Sequence, residues 1–445
     1  MKKFFIVLAL VCATLMLFSC SKKEESSVSA PEPATSAPVV AKADVKEPVT
    51  VELWSSLSGT KASVFDKQVA AFNSSQSDVK VNVIHQGGYS ILRQKVAAAA
   101  NARNMPEMLI CDYVDVAYYA QLGLLSELDS LLSAELVSDY YPAMLSDLKY
   151  DGKLYAIPYN RSTQGFYVNN DLLRQAGIEK APTNWDEFRA AAEQMKTLGD
   201  DYYLGYSFFN QFLFDAIAYS WGGDISTPDG TVLLNSEEIV DMMTYFSDMD
   251  NEKLLLMPPA LVGGFEELNG AFLDGHVATV FQTSSFAPTA EKLLDCDWSF
   301  EFIPAGKGGN AITIGGGNFA ITSTVSEEEK DACVKFFEFM SSPEIVKQFF
   351  METKNLPVRQ SVMDDEDVKT YLSENPSYQK MLDQLAFGRP APSVTKNILD
   401  VFNRENDMMS RILLNNEDPK NVLDEYTKTF QSEIDEKKGF GEFIY

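Results

Sequence analysis

From Val49 to Trp54 apolar and polar positions alternate at period two, and after a Ser/Gly turn Val64, Phe65, Val69 and Phe72 recur on one helical face. The pattern predicts a strand and then a helix. A second strand follows at Val79 to Ile84, an alanine-rich helix at Tyr89 to Ala102 and a third strand at Met108 to Asp112. Strands alternating with helices imply a parallel sheet whose ligand contacts gather at the strands' carboxyl ends. Those ends carry Trp54-Ser55-Ser56, His85 to Tyr89 and Asp112-Tyr113, polar or aromatic where a cleft needs them. His85 reads either as a ligand contact or as a surface-loop residue.

The stretch Tyr150 to Asp171 reads differently. Asp151-Gly152 makes a tight turn, Lys153 to Pro158 and Gly165 to Asn169 alternate like strands, and the polar Asn160-Arg161-Ser162-Thr163 lies between them. This segment is either a loop that orients a polyhydroxylated ligand or an ordinary hairpin of a mixed sheet. Asn184 then caps a helix with acids in its first turn. Tyr203 to Phe209 reads as a strand, Asn210 to Trp221 as an aromatic-rich helix, and helices near Ser236 to Asp250 and Phe265 to Leu273 precede strands at Val277 to Gln282 and Trp298 to Ile303. Ile312 to Thr322 predicts two short strands joined by the run Gly315-Gly316-Gly317, where three glycines permit a bend or a close ligand approach. Beyond Ser326 the pattern is mainly helical, ending in amphipathic segments at Thr395 to Leu414 and Pro419 to Lys438.

The amino-terminal end changes the picture. Met1-Lys2-Lys3, an apolar run from Phe4 to Phe18, then Ser19-Cys20 read as a secretory leader over residues 1–19, with Leu17-Phe18-Ser19-Cys20 similar to a relaxed lipobox that lipidates Cys20. A marginal membrane anchor is the competing reading. Residues 20–48 are then a tether, because Ser21 to Pro48 has no aromatic residue, Leu or Ile with which to build a core. The roughly 400 residues that remain suffice for two or more domains.

Lys and Arg number 37 against 64 Asp and Glu, a net charge of −27 that argues against nucleic acid and against broad contact with anionic lipid. Cys111, Cys296 and Cys333 lie far apart without CxxC spacing, so no disulfide framework, metal site or cofactor is expected. With two histidines and no HExxH, GxSxG or P-loop, common hydrolytic and phosphoryl-transfer chemistry has no footing. The acid run Asp364-Asp365-Glu366-Asp367 is either a carboxylate constellation or a solvated helix face. Trp54, Tyr89, Tyr113, Tyr159, Phe209 and Trp221 are each either a flat platform for a sugar face or core packing. Trp221, just before Gly222-Gly223, is the preferred platform, and Asp112 is a candidate acceptor for paired sugar hydroxyls.

The segment DGKLYAIPYNRST…FYVNNDLL resembles the signature of the family 1 extracellular solute-binding proteins, the ligand receptors of bacterial ABC importers. PTNWDEF, ELNGAFLDGHVAT, GGGNFAIT and FFEFMSSPEIVKQFFMETKNLPVR extend the resemblance in family order. It implies an α/β fold, the two-lobed type II periplasmic-binding-protein clamp with a helical C-terminal region, whose chain crosses between lobes near Arg161 to Thr163, Gly315 to Gly317 and Ser361 to Asp364. Lobe 1 is then 49–160 with 316–362, and lobe 2 is 161–315 with 363–445. A monomer is expected, working with the transmembrane subunits of a permease and held to the membrane by lipid.

Within the family, QGGYSILRQKVAAAANARNMPEM and NPSYQKMLDQLAFGRPAP resemble the glycerol-3-phosphate-binding branch. That likeness implies ligand roles for Tyr89, Ser162, Ser284 and Gly316, and for Asp112 or Tyr113. Asn355 stands where the branch has a tyrosine, and its phosphate-facing arginine falls on Phe402, with Arg404 two residues on. Without a fixed cation a phosphate would be poorly compensated, which favours a neutral mono- or oligosaccharide. Glycerol-3-phosphate or a glycerophosphodiester is the near alternative; a carbohydrate-active enzyme and a surface adhesin are those of other classes.

Overall fold

The computed structural model describes residues 47–206, 211–258, 260–261, 265–392 and 401–439. The leader, Cys20 and the tether as far as residue 46 lie outside the described residues, as does Phe209. Strands β1 (Val49–Ser55), β2 (Val79–His85) and β3 (Met108–Asp112) alternate with helices α1 (Gly59–Ser75), α2 (Tyr89–Ala102) and α3 (Tyr113–Gln121). β1 pairs in parallel with both β2 and β3. The period-two and helical patterns thus give the expected β-α units, with the buried Val64, Phe65, Val69 and Phe72 forming the inner stripe of α1.

The strand β4 (Ile157–Asn169) is the spine of the molecule. Its first half pairs antiparallel with β7 (Ile314–Ile321), which pairs in turn with β3. Its second half pairs with β5 (Thr279–Thr283) and β6 (Trp298–Glu301). The hydrogen-bonded order is therefore β2-β1-β3-β7-β4-β5, with β6 also on β4.

Two sequence expectations are corrected here. Asn160 to Thr163 is not a loop but the middle of a 13-residue strand, and the glycine run does not divide Ile312 to Thr322, because β7 continues through all three glycines. One cause underlies both. Gly316 lies against β4 so closely that a Cβ would sit 2.0 Å from the Asn160 carbonyl oxygen, so the missing side chains let two polar strands meet backbone to backbone. Tyr203 and Tyr206 form only isolated bridges, to Val277 and Leu256. Lys153 to Pro158 splits, Lys153–Leu154 folding back on Lys149–Tyr150 about Asp151-Gly152.

One core lies where α1 meets α7 (Glu327–Met340) and α8 (Pro343–Thr353). Phe319 of β7 sits at its centre, with ring centroids 4.6 Å from Tyr159, 5.2 Å from Phe337, 5.8 Å from Phe336 and 6.1 Å from Phe65. On the β5–β6 side, Trp185, Phe188, Phe246 and Phe281 form a second aromatic cluster. Asn184 caps its helix as expected, and Ser326 caps α7 in a capping box with Glu329. The run Asp364 to Asp367 opens the helix Glu366–Glu374, with Asp365 capping it and pairing with Lys347. That geometry is a helix start and not a catalytic carboxylate pair.

Phe319 is 1% exposed, and removing its ring leaves a cavity that stiff neighbouring rings cannot fill. Phe319→Ala should cost about 3–5 kcal/mol, read as a lowered urea midpoint with an unchanged slope.

Candidate functional site

A cavity of about 250 Å³ opens where the carboxyl ends of β1, β2 and β3 face the middle of β4 and β7. Each parallel strand hands over to a helix there, and the first turns of those helices supply Lys61, Tyr89 and Tyr113 to its wall. Asp112 lies at the end of β3, Asn160 and Ser162 on β4, and Gly315 and Gly316 on β7. Thr283 and Ser285, at and just beyond the end of β5, and Phe212 of α5 (Gln211–Trp221) close the opposite side. The lining therefore mixes aromatic faces, neutral hydroxyls, an amide, one carboxyl and one amine, a set suited to a polar solute with apolar patches.

The electrostatics of the wall follow from burial. Asp112 accepts from the Tyr113 N–H at 2.9 Å as the cap of α3. Arg93 stands 3.7 Å away but is committed to Asp115, with bonds of 2.6 and 3.1 Å. Burial first, and the neighbouring Asp115 second, raise the Asp112 carboxyl to about 7 against the pull of Arg93 and Arg161. Burial also raises the Tyr89 hydroxyl, with Asp112 adding to the effect. Lys61 is half-buried, and burial alone lowers its pKa.

Behind the wall lies a layer of polar residues that hold it. The Gln164 side-chain amide donates to the Phe212 carbonyl at 2.8 Å and accepts from the Thr313 N–H at 3.0 Å, which fixes the aromatic wall to the strand. Asn355, buried, donates to the side-chain carbonyl of Asn160. The buried hydroxyl of Ser284 accepts from the Thr163 N–H at 3.2 Å. The Arg161 guanidinium, 0% exposed, donates to Asn318 Oδ1 at 3.0 Å and to the Ile314 carbonyl at 2.7 Å, 5.5 Å from the Tyr113 ring centroid.

Of the residues singled out from sequence, the structure brings Tyr89, Asp112, Tyr113, Ser162 and Gly316 to this one cavity. Ser284 and Asn355 stand one layer behind it. Trp54 donates its indole N–H to Glu52 at 2.6 Å and lies off the cavity wall. Trp221 stacks in the second core, 5.0 Å from Tyr245 and 5.5 Å from Trp185, and does not line the cavity. Arg404, on α9 (Val401–Leu413), is held by both carboxylate oxygens of Glu433 at 2.7 and 2.8 Å, also off the cavity. His85 pairs with Asp66 at 2.9 Å. Lys61, Phe212, Thr283 and Ser285 were not singled out from the sequence. Lys61 was within reach, since it lies in the first turn after a strand end, as Tyr89 and Tyr113 do.

The model of the family described as bacterial extracellular solute-binding protein matches residues 67–375. The chain belongs to that family. Its relatives include the sn-glycerol-3-phosphate-binding periplasmic protein UgpB of Agrobacterium fabrum, 21% identical over 412 residues that cover 87% of this chain and 93% of that protein. Among solved structures, UgpB from Mycobacterium tuberculosis, in complex with glycerophosphocholine, superposes with a TM-score of 0.78 at 23% identity, covering 87% of this chain and 99% of that one. The cyclic alpha-maltosyl-1,6-maltose binding protein from Arthrobacter globiformis gives 0.74 at 23% identity, with the same coverage. The shared architecture is the α/β two-lobed clamp of solute-binding proteins.

Because the Asp112 carboxyl holds its proton more tightly in the folded state, that state loses stability as pH rises from the ordinary carboxylate range through about 7. Asp112→Asn keeps a capping oxygen and removes the titration. Relative to the parent, the variant should gain up to about 4 kcal/mol between about pH 4 and about pH 8 in urea denaturation. A flat difference across that range would refute the burial account of Asp112.

Proposed function

We propose that this chain is the substrate-binding lipoprotein of an ABC importer, which captures a small carbohydrate or related polyol in the cavity and delivers it to a membrane permease. The observation that carries this reading is the cavity wall itself. Neutral hydroxyls and an amide converge there with the rings of Tyr89, Tyr113 and Phe212, the pairing that sugar edges and faces require. Relatives that are receptors for glycerol-3-phosphate and for a cyclic maltosaccharide support the same class of solute. At about 250 Å³ the space lies just below the ~300–1,000 Å³ of pockets for drug-sized ligands, which favours a small solute over a long oligosaccharide.

No step of this role needs bond chemistry, and a binding protein, not an enzyme, is the reading. Among the described residues the wall has no paired general acid and base: Asp112 is its single carboxyl there, and Asp115 behind it is taken up by Arg93. Lobe 1 (49–160 with 316–362) and lobe 2 (161–315 with 363–445) would close on the solute by small φ/ψ changes where the paired β4 and β7 and the 3-10 turn Gln360–Asp364 pass between them. A solute drives closure only by binding the closed form more tightly than the open one. Titration calorimetry against a panel of small sugars and polyols should find a ligand in the micromolar range or tighter, about −8 kcal/mol. Small-angle scattering at saturation should then show compaction. An unchanged profile with proven binding would sink the clamp mechanism.

In the same proposal Cys20 carries the lipid, and the segment before Val49 spaces the receptor from the membrane. Among the described residues no helix is long and apolar enough to cross a membrane. Firm attachment needs more than one acyl chain. Cys20→Ser should move the protein from the membrane pellet to the soluble fraction or stall its maturation; fractionation like the parent's would place the anchor elsewhere.

A further inference from the structure

The expectation of a neutral ligand rested on the lack of a fixed cation, and the structure supplies one. Lys61 lines the cavity, half-buried, and its ammonium has no ion pair or hydrogen bond among the described residues. Asp112, the carboxyl on the same wall, is governed by its burial first and then by Asp115, against Arg93 and Arg161. Taking an ammonium out of water without a partner is unfavourable, so this part of the wall is electrostatically incomplete. The backbone around it has the same sign. α1, of 17 residues, and α2, of 14, begin at the cavity with no side-chain cap bond and no acid in the first turn. Lys61 and Tyr89 sit in those two first turns, where unpaired N–H groups and the helix dipole favour negative charge. A further donor is Tyr113, 3% exposed, whose hydroxyl has no partner among the described residues.

We propose that the cavity takes a small polyhydroxylated solute bearing one anionic group, phosphate or carboxylate, seated on Lys61 and the first turns of α1 and α2. This rests on the receptor reading above and narrows its substrate class. Asp112 is compatible with such a guest: its carboxyl, raised to about 7, is in part protonated near neutrality and then donates to an anionic oxygen. The hydroxyl of Ser162, and those of Thr283 and Ser285, which bond to each other at 2.7 Å, line the rest of the wall for the polyol.

The test is calorimetric titration of the mature chain with five probes: glucose, glucose 6-phosphate, glucuronate, glycerol and glycerol 3-phosphate. At least one anionic probe should bind about tenfold or more tighter than its neutral counterpart, and this preference should shrink as salt rises. Comparing the phosphate with the glucuronate arm identifies which anion is seated. Lys61→Gln should reduce the anionic-to-neutral preference about tenfold or more, while Lys61→Arg, which restores the charge, should retain it and so separate loss of charge from loss of fold. A neutral probe that binds as tightly as its anionic partner, or a preference that survives Lys61→Gln, overturns the anion seat and leaves the receptor reading standing. Binding of none of the five by a folded protein overturns both.

Discussion

The pairing of β4 with β7, pinned by the buried guanidinium of Arg161, is the constraint on which the rest of the structure depends. Arg161 lies opposite Gly316 in the register and bonds to Asn318 and to the Ile314 carbonyl, so one side chain ties the two long strands together on both sides of the glycines. Fully burying a guanidinium is unfavourable unless its hydrogen bonds are met, and removing its partners typically costs about 3–5 kcal/mol. Burial dominates its electrostatics and lowers its pKa, while Asp147 and Asp112 act in the opposite direction. Such an arrangement fixes one register. A slip by one residue would bring another glycine opposite Arg161 but would separate its guanidinium from Asn318 and the Ile314 carbonyl.

The cavity inherits its geometry from that register. Asn160 and Ser162 reach it because alternate residues of β4 face one way while Arg161, between them, faces the other. Gln164, three residues after Arg161, holds the backbone of Phe212 and so carries the register across to the opposite wall. Ser284, to which resemblance gives a ligand role, and Asn355, which stands where the branch has a tyrosine, bond here to Thr163 and Asn160. A supporting layer of this kind lets a wall present hydroxyls and amides in fixed directions.

Charge is distributed with a similar division. The excess of acid lies mostly on the surface, where pairs such as Lys153 with Glu127 and Lys335 with Asp78 contribute little individually. Inside, Asp115 is answered by Arg93, whereas neither carboxylate oxygen of the buried Glu405 has a hydrogen-bond partner among the described residues. Lys61 faces the cavity without an ion pair among the described residues, so a strongly acidic chain carries an unanswered base on the wall of its cavity.

Local patterns in the chain determined the strand-helix units up to Gln121, because each side chain there is placed by its own period. The stop points of β1, β2 and β3 located Tyr89, Asp112 and Tyr113 for the same reason: a parallel sheet must present its carboxyl ends together. Pattern also placed most of the later helices, including the cap at Asn184. It could not show that Asn160 to Thr163 is a strand, since a polar run reads as a loop until the partner that satisfies its backbone is known, and that partner, β7, lies about 150 residues away. Nor does any local pattern distinguish an aromatic in a core from one on a wall. Trp221 and Phe212 belong to the same helix, and only the packing of Trp185 and Tyr245 against one, and of Gln164 behind the other, sent the first inward and the second to the cavity. Lys61 is the same case in charge: composition counted it among 37 bases, and only the convergence of three helix starts left it facing the cavity without a counter-ion.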